Sequence, residues 1–343
     1  MRRRQYLLRK VGWALLTILF VICFNFFLFR VLPGDPARSG IRDPRLTAEA
    51  VEAIRVRFGL DKPVINCFES LNPLELGSCA INPLETQFFI YVGNLLRGEM
   101  GFSYHTNRPV IDMLGERLFN TVLLIGTGQL FSIIIGISLG VLAAWKSRTA
   151  IDYVALVGSL LAWGLPTFWL GIILLFWGSR QFALPIGGMV TPGATFDTTW
   201  DRWLDIARHM FLPTLTFTIV FLAEYMLIMR STIQEVLAED YILTAKAKGI
   251  GTGQILRHHA LRNALLPTVT LIALNLGFTV AGSIEIETVF SWPGLGAAIV
   301  ESVSRRDYPM LQGAFLLLAI SVILANLIAD LLYSYLDPRV RVE

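Results

Sequence analysis

Six stretches of this chain are long and apolar enough to cross a lipid bilayer as helices. A spanning helix needs about 20 mostly apolar residues, because it rises 1.5 Å per residue across roughly 30 Å of hydrocarbon. The stretches lie at 11–32, 118–144, 151–177, 210–229, 265–290 and 312–336. The fold class that follows is an all-α polytopic membrane protein with six transmembrane helices. Charge supports it: 16% of residues are charged and 54% hydrophobic, whereas soluble domains carry about a quarter charged. Most of the surface therefore does not face water. The net charge of +3 is too small to suggest nucleic acid as a partner, and three cysteines exclude a disulfide-dense scaffold.

The first stretch follows Arg2, Arg3, Arg4, Arg9 and Lys10, as the apolar part of a signal peptide would. Its apolar run is too long for that, no small-residue cleavage site follows, and five more stretches come after it. It is read as a retained span. Basic residues near span ends set orientation. The basic N-terminus is predicted to be cytoplasmic, which places Lys146 and Arg148, the segment 230–263, and the C-terminus with Arg339 and Arg341 on the same side. That segment has five basic residues against three acids; the stretch 33–117 has nine against eleven, which suits the outside.

The expected organisation is a cytoplasmic N-terminus with the first helix (1–32), an external region (33–117), and a core of five helices (118–343) carrying the long cytoplasmic loop 230–263. Within the external region, helices are predicted at 47–58, capped by Thr47, and at 87–96. The connection 178–209 is an external loop rich in Pro, Gly and Trp, and 291–311 is a shorter one.

Catalytic patterns are weak. The nearest approach to a phosphate-binding loop, Gly140 to Ser147, lacks a second glycine and places Trp145 where the backbone would have to wrap a phosphate. Gly136-Ile-Ser138-Leu-Gly140 fits the serine-hydrolase pattern, which works only on a sharp strand-to-helix turn. Here it lies inside an apolar span. Glycines four apart read better as a small-residue face for close helix approach. His258 and His259 are adjacent, so on a helix they diverge and cannot hold one metal together. No catalytic residue and no metal site are expected.

The cytoplasmic loop is the informative segment. Residues 234–248 read as a helix with acids early (Glu235, Glu239, Asp240) and lysines late (Lys246, Lys248), a polarity that suits the helix dipole. Gly249 ends it and Gly251 eases the turn. Thr252 caps a second helix through Asn263, and Pro267 sits in the first turns of the fifth span. Ala245 and Ala247 give a surface small enough for close docking; a solvated hairpin lying on anionic lipid is the other reading.

This loop, Asp240-Tyr-Ile-Leu-Thr-Ala-Lys-Ala-Lys-Gly249 followed by His259-Ala-Leu-Arg-Asn-Ala264 and Pro267, resembles the signature of permease subunits of binding-protein-dependent ABC importers. The likeness is greatest to the dipeptide/oligopeptide/nickel branch and to the first of its two permeases. The family's Glu-Ala-Ala triad is degenerate, reading Leu243-Thr244-Ala245. Ordered blocks along the chain agree: Leu32-Pro-Gly-Asp-Pro36, Phe58-Gly-Leu-Asp-Lys-Pro63, Gly98-Glu-Met-Gly-Phe-Ser103, Glu287 to Gly296, Arg305-Arg-Asp-Tyr-Pro309 and Asp337-Pro-Arg339.

The resemblance implies a type I importer permease in the bacterial inner membrane, moving peptides or similar small solutes by alternating access. It implies a second permease, two ATPase subunits that bind ATP and Mg, and an external solute-binding protein, with no cofactor on this chain. Glu239, Asp240, Tyr241, Ala245, Ala247, Lys248 and Gly249 would couple it to the ATPases: Ala245 and Ala247 seating closely, Asp240 and Lys248 touching the partner, Gly249 permitting the bend. On that reading Ala245→Trp uncouples hydrolysis from uptake.

The insertion near 64–86 departs from the family and carries Cys67 and Cys79. Both are placed outside, where disulfides persist; a bridge would contribute about 2–3 kcal/mol, and two separate thiols are the alternative. Mid-span Cys23 reads as a small apolar residue.

Ionisable groups inside spans are costly and mark functional or paired positions. Glu224 and the polar Asn275 are candidates for the translocation path. Glu287 and Asp330 read as structural. The rival classes are a stand-alone secondary transporter or channel, which would need ion-coupling residues and usually an inverted repeat, and an intramembrane hydrolase built on Ser138.

Overall fold

The computed structural model describes residues 3–31, 86–281 and 284–336. The expected helix at 47–58, Cys67 and Cys79 with most of their insertion, and the blocks at 32–36, 58–63 and 337–339 lie outside the described residues. The described elements are helices: α1 (Arg3–Val31), α2 (Gln87–Leu96), α3 (Val110–Trp145), α4 (Ala150–Gly164), α5 (Thr167–Phe182), α6 (Thr199–Leu237), α7 (Asp240–Ala247), α8 (Thr252–Ile255), a π-helical turn (Leu256–Ala260), α9 (Leu261–Ala281), α10 (Ile284–Val289), α11 (Leu295–Arg305) and α12 (Tyr308–Leu336). Among the described residues α1, α3, α6 and α12 are each long and apolar enough to span, and α4 with α5, bent at a short break, is so when the two are taken together. The stretch expected at 265–290 corresponds to α9, 21 residues that end at Ala281.

Several of the expected boundaries move. Helix α3 begins at Val110 and has 36 residues. Helix α6 has 39 and takes in the end of the presumed loop 178–209. Its start is fixed by a capping box: Asp201 N–H donates to Thr198 Oγ1 at 3.1 Å while Thr198 N–H donates to the Asp201 carboxylate at 3.1 Å. Each bond satisfies an end-group that the helix cannot pair internally.

The third stretch is not one straight helix. Helices α4 and α5 are bent by 102° at Leu165–Pro166. The cause is local: a residue before proline is pushed to extended backbone, and Leu165 has φ −80°, ψ 134°. The two halves still lie against α6 at successive levels. At the start of α4, Asp152 binds Arg230 of α6; in α5 a Cβ on Gly171 would lie 3.6 Å from Thr216, and one on Gly178 would lie 2.7 Å from Leu212. The contacts thus advance along α6 from Arg230 to Leu212, about 27 Å of helix at 1.5 Å per residue.

By its contacts the chain divides into two compact units, one of 8–118 with 298–323, the other of 1–7, 119–297 and 324–343. In the first, Phe26 of α1 packs edge-on against Phe88 of α2 at 5.2 Å, and Asn25 Nδ2 donates to the Gln312 carbonyl of α12. Buried Asp307 caps the start of α12 and accepts from Ser103 Oγ at 2.5 Å and Tyr104 N–H at 3.2 Å. Two of the family-like blocks, 98–103 and 305–309, therefore meet in one hydrogen-bonded knot.

In the second unit α6 is the spine. Gly136 and Gly140 of α3 form the close-approach face expected of them: an added Cβ would come within 2.6 Å of the Leu222 carbonyl oxygen and 2.7 Å of that of Met226. Ser138 lies on the same uninterrupted helix and returns its hydroxyl to the Ile134 carbonyl at 2.7 Å, so the sharp turn that a serine nucleophile needs does not exist.

Gly140→Leu meets backbone and should destabilise by about 1–3 kcal/mol, lowering the melting temperature of the detergent-purified chain. Gly12→Leu meets open space and should leave it unchanged.

Candidate functional site

The loop expected on the cytoplasmic side is an elbow built around a small apolar core. Helix α6 stops at Leu237, Ala238 and Glu239 turn, and α7 restarts at Asp240 with Glu239 in extended backbone (φ −71°, ψ 146°). The single helix expected over 234–248 is thus split. The split re-aims α7 so that Ile242 and Ala245 pack on Ile255, flanked by Leu237 and Ile250. Gly249 ends α7 as expected; its φ of +77° is one that side chains resist. The next helix is started by Gly251, whose carbonyl accepts from Gln254 and Ile255 N–H groups, and Thr252 is its first helical residue rather than its cap.

Ala245 is therefore not part of an outward seating surface. It is 6% exposed and turned into the elbow, because the face that carries Ile242 must bury it against Ile255. The residues left outward are Glu239, Asp240, Tyr241, Leu243, Thr244, Lys246, Ala247, Lys248 and Gly249. Leu243, 58% exposed, is an apolar knob that sequence reasoning passed over as a degenerate position. The Tyr241 hydroxyl accepts from Asn263 Nδ2 at 2.8 Å, which holds α7 back onto α9.

Both roots of the elbow are wired into the spans. Leu256, Ala260 and Ala264 pack with Met229 and Ile233 of α6 and Ala144 of α3; the alanines let the helices close. Above this, Arg230 grips Asp152 with two bonds, Nε to Oδ1 at 2.5 Å and Nη2 to Oδ2 at 2.9 Å, and Arg148 N–H donates to the same carboxylate. The Asp152 side chain is 3% exposed. A bidentate, charge-assisted pair holds geometry more firmly than a point contact, so the α3–α4 turn follows α6.

Deeper in the spans, the two path candidates meet. Asn275 Nδ2 of α9 donates to Glu224 Oε2 of α6 at 2.9 Å and to the Tyr225 hydroxyl at 3.0 Å. Gln129 Nε2 of α3 donates to the same hydroxyl. One polar chain thus joins three helices. Tyr225 and Gln129 carried no sequence signal, since a tyrosine and a glutamine in separate spans look like isolated polar residues until the helices pack. Glu224 is half-buried, and Arg230, the basic residue nearest it on α6, is committed to Asp152.

Glu287 is structural, as expected of it. It is fully buried, accepts from Thr121 Oγ1 at 2.6 Å and from Ala297 N–H at 2.9 Å, and occupies the space a Cβ on Gly294 or Gly296 would need. Trp292 Nε1 donates to the Asn120 carbonyl and Asn120 Nδ2 donates to the Pro293 carbonyl, each at 2.9 Å. Asp330 lies half-buried in α12.

Residues 136–342 match the family model of the binding-protein-dependent transport system inner membrane component, and residues 3–125 match that of its N-terminal part. The glutathione transport system permease protein GsiC of Escherichia coli K12 is 34% identical over 339 residues, covering 98% of this chain and 99% of the relative. The dipeptide transport system permease protein DppB of Escherichia coli K12 is 33% identical over 354 residues, covering 98% of each.

If Asp152 and Arg230 act as one unit, Asp152→Ala and Arg230→Ala should each lower the stability of the purified chain. The double variant should then cost less than the sum of the two by about 1–3 kcal/mol, read from thermal melts in one detergent.

Proposed function

Since this chain belongs to the family of binding-protein-dependent transport system inner membrane components, we propose that it is one of two membrane-spanning subunits of an ATP-driven importer of peptides. Peptide as cargo rests on the relatives named for glutathione and dipeptide transport. In this reading a binding protein delivers the solute to the outer loops. Two separate ATPase subunits bind ATP and Mg, and a second permease completes the cavity. The elbow 239–249 is the docking surface for the ATPase.

The observation that carries the proposal is the outward row Asp240, Tyr241, Leu243, Ala247 and Lys248 on a short helix whose inner face is spent on its own core. A knob of this kind on a rigid base suits insertion into a groove of another protein. When ATP brings the two engines together, displacement of α7 passes through the Tyr241–Asn263 bond into α9 and through Leu237 into α6. The Glu224–Asn275–Tyr225–Gln129 chain then moves with them, and its carboxylate belongs to the translocation path.

Three outcomes follow. Leu243→Asp should cut ATP-dependent dialanine uptake at least tenfold, with normal amounts of chain in the membrane and loss of ATPase subunits on co-purification. Ala245→Trp should instead unpack the elbow, seen as faster proteolysis within 238–255; an intact elbow with normal proteolysis would contradict its inward placement. Reconstituted alone in lipid vesicles, the chain should move no dialanine in response to ATP, and robust flux by the lone subunit would overturn the importer reading.

A further inference from the structure

We propose that the break between α4 and α5 faces the water-filled solute path, so that Gly164–Trp169 is a path-lining element of the importer; this rests on the reading above. The contacts that advance from Asp152–Arg230 to Gly171–Thr216 place Leu165–Pro166 between them, well inside the span. A helix interrupted there leaves backbone groups unpaired. Two backbone bonds flank the interruption, Leu165 N–H to the Ala162 carbonyl at 3.3 Å and Leu170 N–H to the Pro166 carbonyl at 3.1 Å. Pro166 has no N–H to give and no side chain that can cap. No helical turn closes over Leu165 and Pro166, so the N–H groups of Thr167, Phe168 and Trp169 and the carbonyls of Trp163 and Gly164 have no i to i+4 backbone partner across the break.

The break also lies at the surface of the chain. Gly164, Pro166, Phe168 and Trp169 are exposed, and Trp163 is 60% exposed. In hydrocarbon each unpaired backbone group costs several kcal/mol, so irregular backbone at membrane depth is confined to protein interiors and water-filled cavities. Lipid is excluded on that ground. A neighbouring span would offer mostly apolar side chains, which cannot pair several diverging N–H and C=O groups at once, whereas water can. The aromatic rings of Trp163, Phe168 and Trp169 around this wet notch suit the mixed polar and apolar character of a short peptide passing by. The contrast lies six residues earlier. Gly158, also exposed but on unbroken helix, lines an apolar groove with Leu139, Ala162, Ile219 and Leu222.

Cysteine labelling tests this. A Cβ on Gly164 or on Gly158 meets nothing within 4 Å, so Gly164→Cys and Gly158→Cys leave the packing as it is. The full importer, in native membranes opened to both faces, is treated with a charged, membrane-impermeant methanethiosulfonate, without nucleotide and after trapping with ATP and vanadate. Peptide mass spectrometry reads the label at each position, independently of the native cysteines. Modification at 164 should be at least tenfold faster than at 158 in one or both states. Equal rates, or no modification at 164 in either state, overturn the proposal. Failure of the importer reading would show separately, as absence of ATP-dependent dialanine uptake by the unmodified assembly.

Discussion

Hydrocarbon offers no hydrogen bonds, and this governs nearly every choice the chain makes. Backbone groups must be paired within helices, and each polar side chain in a span needs a partner or water. The pairings follow that demand. Tyr225 receives bonds from Asn275 and Gln129, Arg230 is answered by Asp152, and Ser132 and Ser138 return their hydroxyls to carbonyls of their own helix. The same demand makes the glycines of α3 useful. They bring α3 and α6 close enough that an added Cβ would strike backbone, replacing lipid by dense van der Waals contact.

From these contacts a mechanical division emerges within the unit that holds the elbow. Helices α3 and α6 are joined at three levels: a Cβ on Gly128 would meet the Phe217 ring at 2.9 Å, Gly136 and Gly140 sit on α6 further along, and Ala144 packs with Met229 and Ile233 near the elbow. Such a pair moves as one body. The elbow joins it through Leu237 and through the Ala260–Ala264 contact, so a push on α7 cannot be absorbed by slack at its roots.

Much of this was legible in sequence because its causes are local. Span positions follow from runs of apolar residues, and the end of α7 from Gly249. The family-like blocks were recognisable one by one, but that Ser103 and Asp307 bond each other is a tertiary fact. The direction in which Ala245 points was misread for a similar reason. A helix assumed to run unbroken from 234 to 248 has a different facing from one restarted at Asp240, and only the packing of Ile242 against Ile255 decides between them. The broken third span was concealed by its own composition. An apolar run across 151–177 satisfies any hydropathy criterion, and the Gly164-Leu-Pro166 signal that interrupts it occupies three residues.

Rigid pieces and points of bending are thus encoded by different residues. Close contact uses glycine and alanine inside continuous helices, where the missing side chain shortens the distance to a neighbour without loosening the backbone. Bending uses glycine or proline where the helical ladder ends: Gly249 at positive φ between α7 and α8, and Pro166 between α4 and α5. Gly136 and Gly249 are chemically the same residue, yet one locks two spans together and the other frees a turn. The difference lies in whether the ladder of backbone bonds continues through the position. Because α4 is bound to α6 by Asp152 and α5 by the Gly171 and Gly178 contacts, the two halves of the third span are separately anchored. A change in curvature of α6 must therefore appear as a change of angle at Leu165–Pro166, where no helical bond resists it.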